Sequence, residues 1–182
     1  NTSAEDSLYE GADKRSFKSF VPESRLKLQH FQDKVEAVRQ EVGKMIIGQS
    51  KLVDQILLAI FSRGHVLLEG VPGIAKTMTS KVISKTLSVD YSRIQFTPDL
   101  MPSDVLGTSI FNVKTSEFTY KKGPVFSNIV LIDEINRSPA KTQAALFEIM
   151  EERQVTNDGI KYKMDSPFFI MATQNPIEQE GT

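Results

Sequence analysis

A glycine-rich segment that ends in a lysine and a threonine is the part of the sequence best suited to chemistry. Its residues are Gly70, Val71, Pro72, Gly73, Ile74, Ala75, Lys76 and Thr77. Glycines allow the backbone to curl until several N–H groups point at one phosphate, and a following helix would add the positive end of its dipole. The spacing therefore predicts a phosphate-binding loop in which Lys76 reaches the β and γ phosphates of a nucleotide and the Thr77 hydroxyl binds Mg²⁺.

Ala75 departs from the usual pattern of such loops, which have a glycine directly before the lysine. We expect Ala75 to lie in the first turn of the following helix, where a Cβ is tolerated. Gly73 would then be the residue that needs unusual backbone torsions. The alternative interpretation is a plain Gly/Pro turn followed by a surface lysine. The position of the segment between a predicted strand and a predicted helix favours the phosphate-binding loop.

Two adjacent acids that follow an apolar run, residues 129–132, form the second candidate site. Asp133 would stand at the tip of a buried strand and hold Mg²⁺, either directly or through a water. Glu134 would accept a proton from the water that attacks the γ-phosphate. Taken alone, the pair is equally consistent with two solvated acids at a strand end. Its place downstream of the phosphate-binding loop favours the catalytic interpretation.

Asn175 is the third candidate, because a polar side chain at the end of the last predicted strand could contact the γ-phosphate or the attacking water. Taken alone, an asparagine before Pro176 is more typical of a turn. Arg137, three residues after Glu134, either orders its loop or senses nucleotide or a neighbouring subunit. The predicted catalytic residues are therefore Lys76, Glu134 and Asn175, and the predicted metal ligands are Thr77 and Asp133.

Helices and strands are predicted to alternate around these sites. The first helix would place six apolar residues on one face: Leu28, Phe31, Val35, Val38, Val42 and Met45. The pattern further predicts helices over residues 51–63, 75–87 and 139–152, strands over residues 65–69, 91–96, 128–133 and 168–173, and hairpins over residues 108–121 and 154–162. Continuous apolar strands separated by helices are typical of an α/β fold with a parallel sheet covered on both faces. Ligands bind such sheets at the carboxyl ends of the strands, so we expect the three candidate sites to converge there.

The composition narrows the class of protein. The 182 residues suffice for one domain, which we place at residues 24–182 after a loose tail of residues 1–23. The absence of cysteine excludes disulfides and cysteine nucleophiles. No apolar run approaches a membrane span and no secretory signal is recognisable, so we expect a cytoplasmic protein. A net charge of −1 argues against nucleic acid as the main partner.

Five motifs of this sequence closely resemble those of the MoxR-like branch of the AAA+ ATPases. They are LEGVPGIAKT (residues 68–77), PSDVLGT (102–108), KGPVF (122–126), DEINR (133–137) and ATQNPIEQEGT (172–182). The motifs are spread from about residue 47 to the last residue, and the first of them includes Ala75. The resemblance is therefore specific and covers most of the chain.

The resemblance implies a three-layer αβα P-loop NTPase with a parallel sheet that has five strands when complete. It implies that Ile47 and Gly48 lie near the adenine, that Asn175 is the residue known as sensor 1, and that ATP and Mg²⁺ are the cofactors. The full set of implied nucleotide-binding residues is Ile47, Gly48, Gly70, Val71, Pro72, Gly73, Ile74, Ala75, Lys76, Thr77 and Met78. Such ATPases form hexameric rings and act as chaperones that remodel partner complexes, often with a partner that carries a von Willebrand factor A domain.

The family's arginine finger, sensor-2 arginine and helical lid follow the point at which this sequence stops, and no arginine occurs after Arg153. We therefore expect a core truncated after the sensor-1 strand, with the helical lid absent, which binds nucleotide but hydrolyses it slowly. Three alternatives stay open. They are a nucleotide-gated interaction module with little turnover, a nucleic-acid motor of the AAA+ type, and, least favoured, a GTPase, for which the Asn-Lys-x-Asp element is missing.

Overall fold

The computed structural model of the chain describes residues 23–70 and 73–174. The chain divides into two units between residues 34 and 35. The described helices are α1 (Glu23–Gly43), α2 (Ser50–Phe61), α3 (Gly73–Thr86), α4 (Pro102–Leu106) and α5 (Ala140–Glu152). The described strands are β1 (Val66–Glu69), β2 (Tyr91–Gln95), β3 (Gly107–Asn112), β4 (Glu117–Lys122), β5 (Ile129–Asp133), β6 (Gln154–Asn157), β7 (Ile160–Lys163) and β8 (Phe169–Gln174). The loose tail predicted for residues 1–23 lies outside the described residues except for Glu23 and stays a prediction.

Four parallel strands form the central sheet of the described residues, in the order β1-β8-β5-β2. The two middle strands, β5 and β8, are buried along almost their whole length. Their sequences are continuously apolar because helices cover both faces of the sheet. The predicted parallel sheet is therefore confirmed. The fifth strand that the resemblance implies has no counterpart among the described residues.

Alternate side chains of the middle strands enter two separate hydrophobic clusters, one on each face of the sheet. The first cluster joins the sheet to α2 and α3 and includes Leu131, Met171, Ile56 and Ile83. The second joins the sheet to α4 and α5 and includes Ile132, Ala172, Val105 and Leu146. Each of the leucine, isoleucine, valine and methionine side chains contributes roughly 1.5–3 kcal/mol of transfer free energy on full burial. The fold is the predicted three-layer αβα sandwich.

The apolar stripe predicted along the first helix is only partly buried. Val42 is fully buried, Val35 and Val38 are half-buried, and Leu28, Phe31 and Met45 are exposed. The prediction is wrong for Met45 because α1 ends at Gly43 and the chain then turns. Ile46 enters the core in its place, and its N–H donates to the Val42 carbonyl oxygen at 2.9 Å. None of the helices in the described ranges has the length and hydropathy to cross a bilayer.

Both predicted hairpins are confirmed as antiparallel pairs, β3 with β4 and β6 with β7. They also contact each other. The Ser109 hydroxyl donates to Asp158 Oδ2 at 2.6 Å, and the Asn157 amide donates to Ser109 Oγ at 2.7 Å. The rings of Tyr120 and Tyr162 lie 4.4 Å apart between centroids. The two hairpins therefore pack together rather than project separately.

Two glycines at the base of the first hairpin allow a very close backbone crossing. The Gly107 residue has a φ of 104°, and a Cβ there would lie 2.2 Å from the Lys121 carbonyl oxygen. A Cβ on Gly123 would lie 2.3 Å from the Val105 carbonyl oxygen. The Gly123 N–H donates to the Leu106 carbonyl oxygen at 3.0 Å across this crossing. The motifs at residues 102–108 and 122–126 therefore meet in space, and each supplies one of the two glycines.

Gly107→Ala and Gly123→Ala should each lower the free energy of unfolding by about 1–3 kcal/mol, because backbone atoms must shift to admit the new methyl group. Urea denaturation of the purified chain measures this. Gly43→Ala is the matched control, since no atom lies within 4 Å of a Cβ at that position. Wild-type stability in both hairpin variants would contradict the close crossing.

His65 joins the start of β1 to the neighbouring elements through both ring nitrogens. Its Nδ1 accepts the Ile170 N–H at 3.0 Å, so the proton of a neutral ring lies on Nε2, which donates to the Met150 carbonyl oxygen at 3.3 Å. The Phe168 ring packs against it edge-on at 5.5 Å. Burial lowers the pKa of His65 from its ordinary value of 6.5, the Met150 carbonyl opposes this, and the charge of Arg153 adds to the lowering. The histidine is a structural residue in its neutral form.

The stability of the chain should fall as the pH drops below 6.5, the ordinary His65 value. Because the folded-state pKa is lowered, the unfolded chain takes up this proton first, and the lost stability accumulates until the folded state is also protonated. Thermal denaturation from pH 8 to pH 5 measures the loss. His65→Gln should have a smaller pH dependence than wild type, whereas His30→Gln, an exposed control, should match wild type. Identical pH profiles for wild type and His65→Gln would contradict the assignment.

Candidate functional site

The predicted phosphate-binding loop follows β1 and leads directly into α3. Gly70 has a φ of 67°, a left-handed conformation that favours glycine, and no atom lies within 4 Å of a Cβ built there. Gly73 is the first residue of α3 and therefore has a helical backbone. The expectation that Gly73 has the unusual torsions is thus wrong, because the helix begins two residues earlier than predicted. Ala75 lies in the first helical turn, as expected, and Val71 and Pro72 lie outside the described residues.

Lys76 is almost completely buried at the beginning of α3, with 3% of its surface exposed. Burial lowers the pKa of its ammonium group, while the negative charge of Asp133 acts in the opposite direction. A buried ammonium is costly unless negative charge lies nearby, so this position favours an anion. Thr77, the next residue, is half-buried. The start of α3 therefore presents a cation and a hydroxyl in neighbouring positions.

Asp133 is the last residue of β5 and is also buried, with 7% of its surface exposed. The Arg93 Nε donates to Asp133 Oδ2 at 2.6 Å. On the other side, the Thr173 hydroxyl donates to Asp133 Oδ1 at 3.4 Å. Both carboxylate oxygens thus face side chains of the neighbouring strands β2 and β8. These contacts orient Asp133 at the carboxyl edge of the sheet.

Glu134 lies directly beyond the strand in a left-handed backbone conformation, with φ of 56° and ψ of 49°. Its N–H donates to Thr173 Oγ1 at 3.1 Å. Its carboxylate Oε2 accepts hydrogen bonds from Gln95 Nε2 at 2.9 Å and from Arg137 Nη1 at 3.1 Å. A non-glycine residue in this conformation is uncommon and is often found at functional sites. The turn directs Glu134 and Asp133 differently although they are adjacent in sequence.

The strand register explains why these groups lie together. Gln95 is the register partner of Asp133, and Glu69 is that of Gln174, so four parallel strands end at the same edge. The Gln174 amide donates to Glu69 Oε1 at 3.1 Å at that edge. Asn175 follows β8 directly in sequence but lies outside the described residues, so its role stays a prediction.

The structure describes both residues expected near the adenine, Ile47 and Gly48, and also Met78, which was expected to bind the nucleotide. Ile47 is 88% exposed, Gly48 has a φ of 78°, and Met78 is 49% exposed. Exposed apolar side chains of this kind are available for contact with a flat aromatic base. Their role, like that of Ile74, remains a prediction.

Sequence reasoning did not single out Arg93, Gln95 or Thr173, which contact the two acids. Period-two alternation would have placed Arg93 and Gln95 on the same face of β2, and their distance from its end places them near the candidate site. Thr173 is the last residue of the strand predicted over residues 168–173, and the observed β8 ends one residue later, at Gln174. Polar residues near the carboxyl ends of the other strands were thus the signal that would have predicted these contacts.

The donor set suits a hard divalent cation bound jointly by protein and phosphate. Across the described ranges, no group of three or more histidine, cysteine, aspartate or glutamate side chains is placed to hold a metal ion. Mg²⁺ is usually held by one or two protein oxygens together with substrate phosphates rather than by a cage of protein ligands. The Asp133 carboxylate and the Thr77 hydroxyl fit that mode.

Comparisons with known proteins agree on one family. The family described as "ATPase family associated with various cellular activities (AAA)" matches residues 65–182. The Bacillus subtilis protein YeaC, described as uncharacterised, is 52% identical over 143 residues, which are 79% of this chain and 45% of that protein. The chaperone MoxR1 of Mycobacterium tuberculosis is 52% identical over 141 residues, which are 78% of this chain and 37% of that protein.

A crystallised protein of Cytophaga hutchinsonii, described provisionally as an ATPase, has the same fold. It is 52% identical, with a TM-score of 0.77, and the match covers 87% of this chain and 48% of that one. The chain thus spans less than half the length of each of these relatives. From the family match, the identities and the fold together, the chain belongs to the MoxR-like branch of the AAA+ ATPases.

Proposed function

We propose that the chain binds ATP with Mg²⁺ and hydrolyses it. The observation that carries the proposal is the buried Lys76, which lies within electrostatic reach of Asp133 at the carboxyl edge of the sheet. A buried cation next to a glycine-containing turn and a helix N-terminus favours the phosphate groups of a nucleotide. Glu134, at the same edge, supplies a carboxylate for proton transfer.

Each group has a distinct part in the proposed reaction. The loop amides and Lys76 hold the phosphates, and Thr77 and Asp133 hold the cation. The cation, when bound, neutralises charge that develops on the phosphate oxygens. Glu134 accepts the proton of the attacking water on its carboxylate, while the hydrogen bonds from Gln95 and Arg137 to Oε2 hold that side chain in place. Asn175 orients the water or the γ-phosphate from the end of β8.

Family membership supports a proposal for the biological role. One relative at 52% identity is described as a chaperone, so we propose that this chain drives the remodelling or maturation of partner complexes. A hexameric ring, a partner with a von Willebrand factor A domain and a cytoplasmic location belong to the same proposal. Fast hydrolysis is expected to need an arginine contributed by a neighbouring subunit, as in other P-loop enzymes.

Mg²⁺ and ATP at a hundredfold excess over Kd should stabilise the wild-type chain by about 2.7 kcal/mol, and Lys76→Met should lose this stabilisation. Methionine keeps the buried stem but removes the charge that binds phosphate. Differential scanning fluorimetry with and without nucleotide measures the effect. Lys81→Met, an exposed position on the same helix, is the control and should respond like wild type. A thermal shift in Lys76→Met as large as that of wild type would contradict the proposed contact of Lys76 with the phosphates.

Glu134→Gln should bind ATP as tightly as wild type but release phosphate about 100-fold more slowly or worse, because the general base is lost. Single-turnover phosphate release, with protein in excess over ATP, measures this. No protein molecule then needs to turn over more than once. Glu148→Gln, on the exposed face of α5, is the control. Equal rates for wild type and Glu134→Gln would exclude this glutamate as the base. If the wild-type chain binds ATP but releases no phosphate, the nucleotide-gated interaction module is favoured instead.

A further inference from the structure

The proposed cation ligand Asp133 is engaged by a positive side chain of its own protein. Arg93 lies on β2, two residues before the end of the strand, and its Nε donates to Asp133 Oδ2 at 2.6 Å. The side chain of Arg93 is 53% exposed, whereas that of Asp133 is 11% exposed. The guanidinium group therefore approaches the buried carboxylate from the solvent side. On the inner side, the Thr173 hydroxyl faces Oδ1.

The two sides of Asp133 differ in how easily they can change. Thr173 is buried, and its hydroxyl also accepts the Glu134 N–H, so that contact is part of the turn after β5. Arg93 is half-exposed and can be solvated by water when it leaves Asp133, so the cost of moving it is small. A hard cation and a guanidinium group both require the carboxylate oxygens, and their like charges repel each other.

The other charges at this edge do not duplicate the contact. Arg137 pairs with Glu134 at 3.1 Å, and Lys76 lies at the start of α3, where it would contact the phosphates. Arg93 thus contacts the proposed cation ligand, Asp133, whereas Arg137 contacts the proposed base. Removing Arg93 and removing Arg137 should therefore have different effects on Mg²⁺ binding, although both side chains lie at the same edge of the sheet.

We propose that Arg93 holds the place of the divalent cation at Asp133 in the nucleotide-free protein and leaves Asp133 when Mg²⁺ and nucleotide bind. Arg93 is then a positioning residue that sets the Mg²⁺ concentration at which the site fills. It keeps Asp133 paired when no nucleotide is bound, and it competes with the cation for the same carboxylate. This inference rests on the proposed function, since it requires that Asp133 be a cation ligand.

The experiment is a Mg²⁺ titration of nucleotide-dependent stabilisation at fixed, saturating ATP, read as the thermal midpoint in chelator-buffered solutions. We expect the half-saturating Mg²⁺ concentration to fall at least threefold in Arg93→Gln relative to wild type. Arg137→Gln, which also removes one positive charge at this edge, should shift it by less than twofold. An unchanged or raised Mg²⁺ requirement in Arg93→Gln would overturn the proposal, and so would equal falls in both variants, which would indicate a general effect of charge.

A second variant keeps the test decisive if Arg93→Gln does not fold. Arg93→Lys retains the charge but loses the planar group that donates through Nε, so its Mg²⁺ requirement should fall in the same direction by a smaller factor. An unchanged or raised requirement in Arg93→Lys would overturn the proposal. The wild-type titration separates this inference from the proposed function. If wild type gains no stability from ATP at any Mg²⁺ concentration, the proposed function itself fails.

Discussion

The parallel pairing of β5 with β8 at the centre of the sheet is the constraint on which the candidate site depends. Both strands are buried on both faces, so a slip of one residue would exchange the side chains that enter the two hydrophobic clusters. The register of Ile132 with Ala172 then places Asp133 beside Thr173. The free energy that packs the core therefore also positions the acids, and the site does not need to be ordered separately.

Asp133 and Glu134 each have an arginine partner at this edge of the described structure. Asp133 faces Arg93, and Glu134 faces Gln95 and Arg137. Buried or half-buried charges require such partners, because an uncompensated charge is costly in a medium of low polarity. Phosphates and a divalent cation would bring a second set of partners for the same groups. Under the proposed function, nucleotide binding would exchange these internal contacts for contacts with the phosphates and the cation.

Sequence patterns predicted the αβα fold, both hairpins and the parallel sheet. They also predicted that three candidate sites converge, and Lys76, Asp133 and Glu134 lie at one edge of the sheet, whereas Asn175 lies outside the described residues. Those features depend on local periodicity and on the general rule for the edge of a parallel sheet, both of which are visible in one sequence. The misplaced torsion at Gly73 and the exposed Met45 arose at element ends, where one or two residues decide the outcome.

The contacts made by Arg93, Gln95 and Thr173 were not predicted because they depend on which strands are neighbours. Arg93 and Asp133 are 40 residues apart, and only the order of the strands places β2 next to β5. The close crossing of Gly107 and Gly123 has the same origin. Two motifs that looked independent in the sequence are parts of one structural feature.

The central claim is that the carboxyl edge of this sheet receives the phosphates of a nucleotide between the start of α3 and the end of β5. A crystal structure of the chain with Mg²⁺ and a non-hydrolysable ATP analogue tests it most directly. The account predicts the β and γ phosphates within hydrogen-bonding distance of Lys76 Nζ, with the cation between those phosphates and the side chains of Thr77 and Asp133. A nucleotide bound elsewhere on the molecule, with Lys76 and Asp133 untouched, would contradict it.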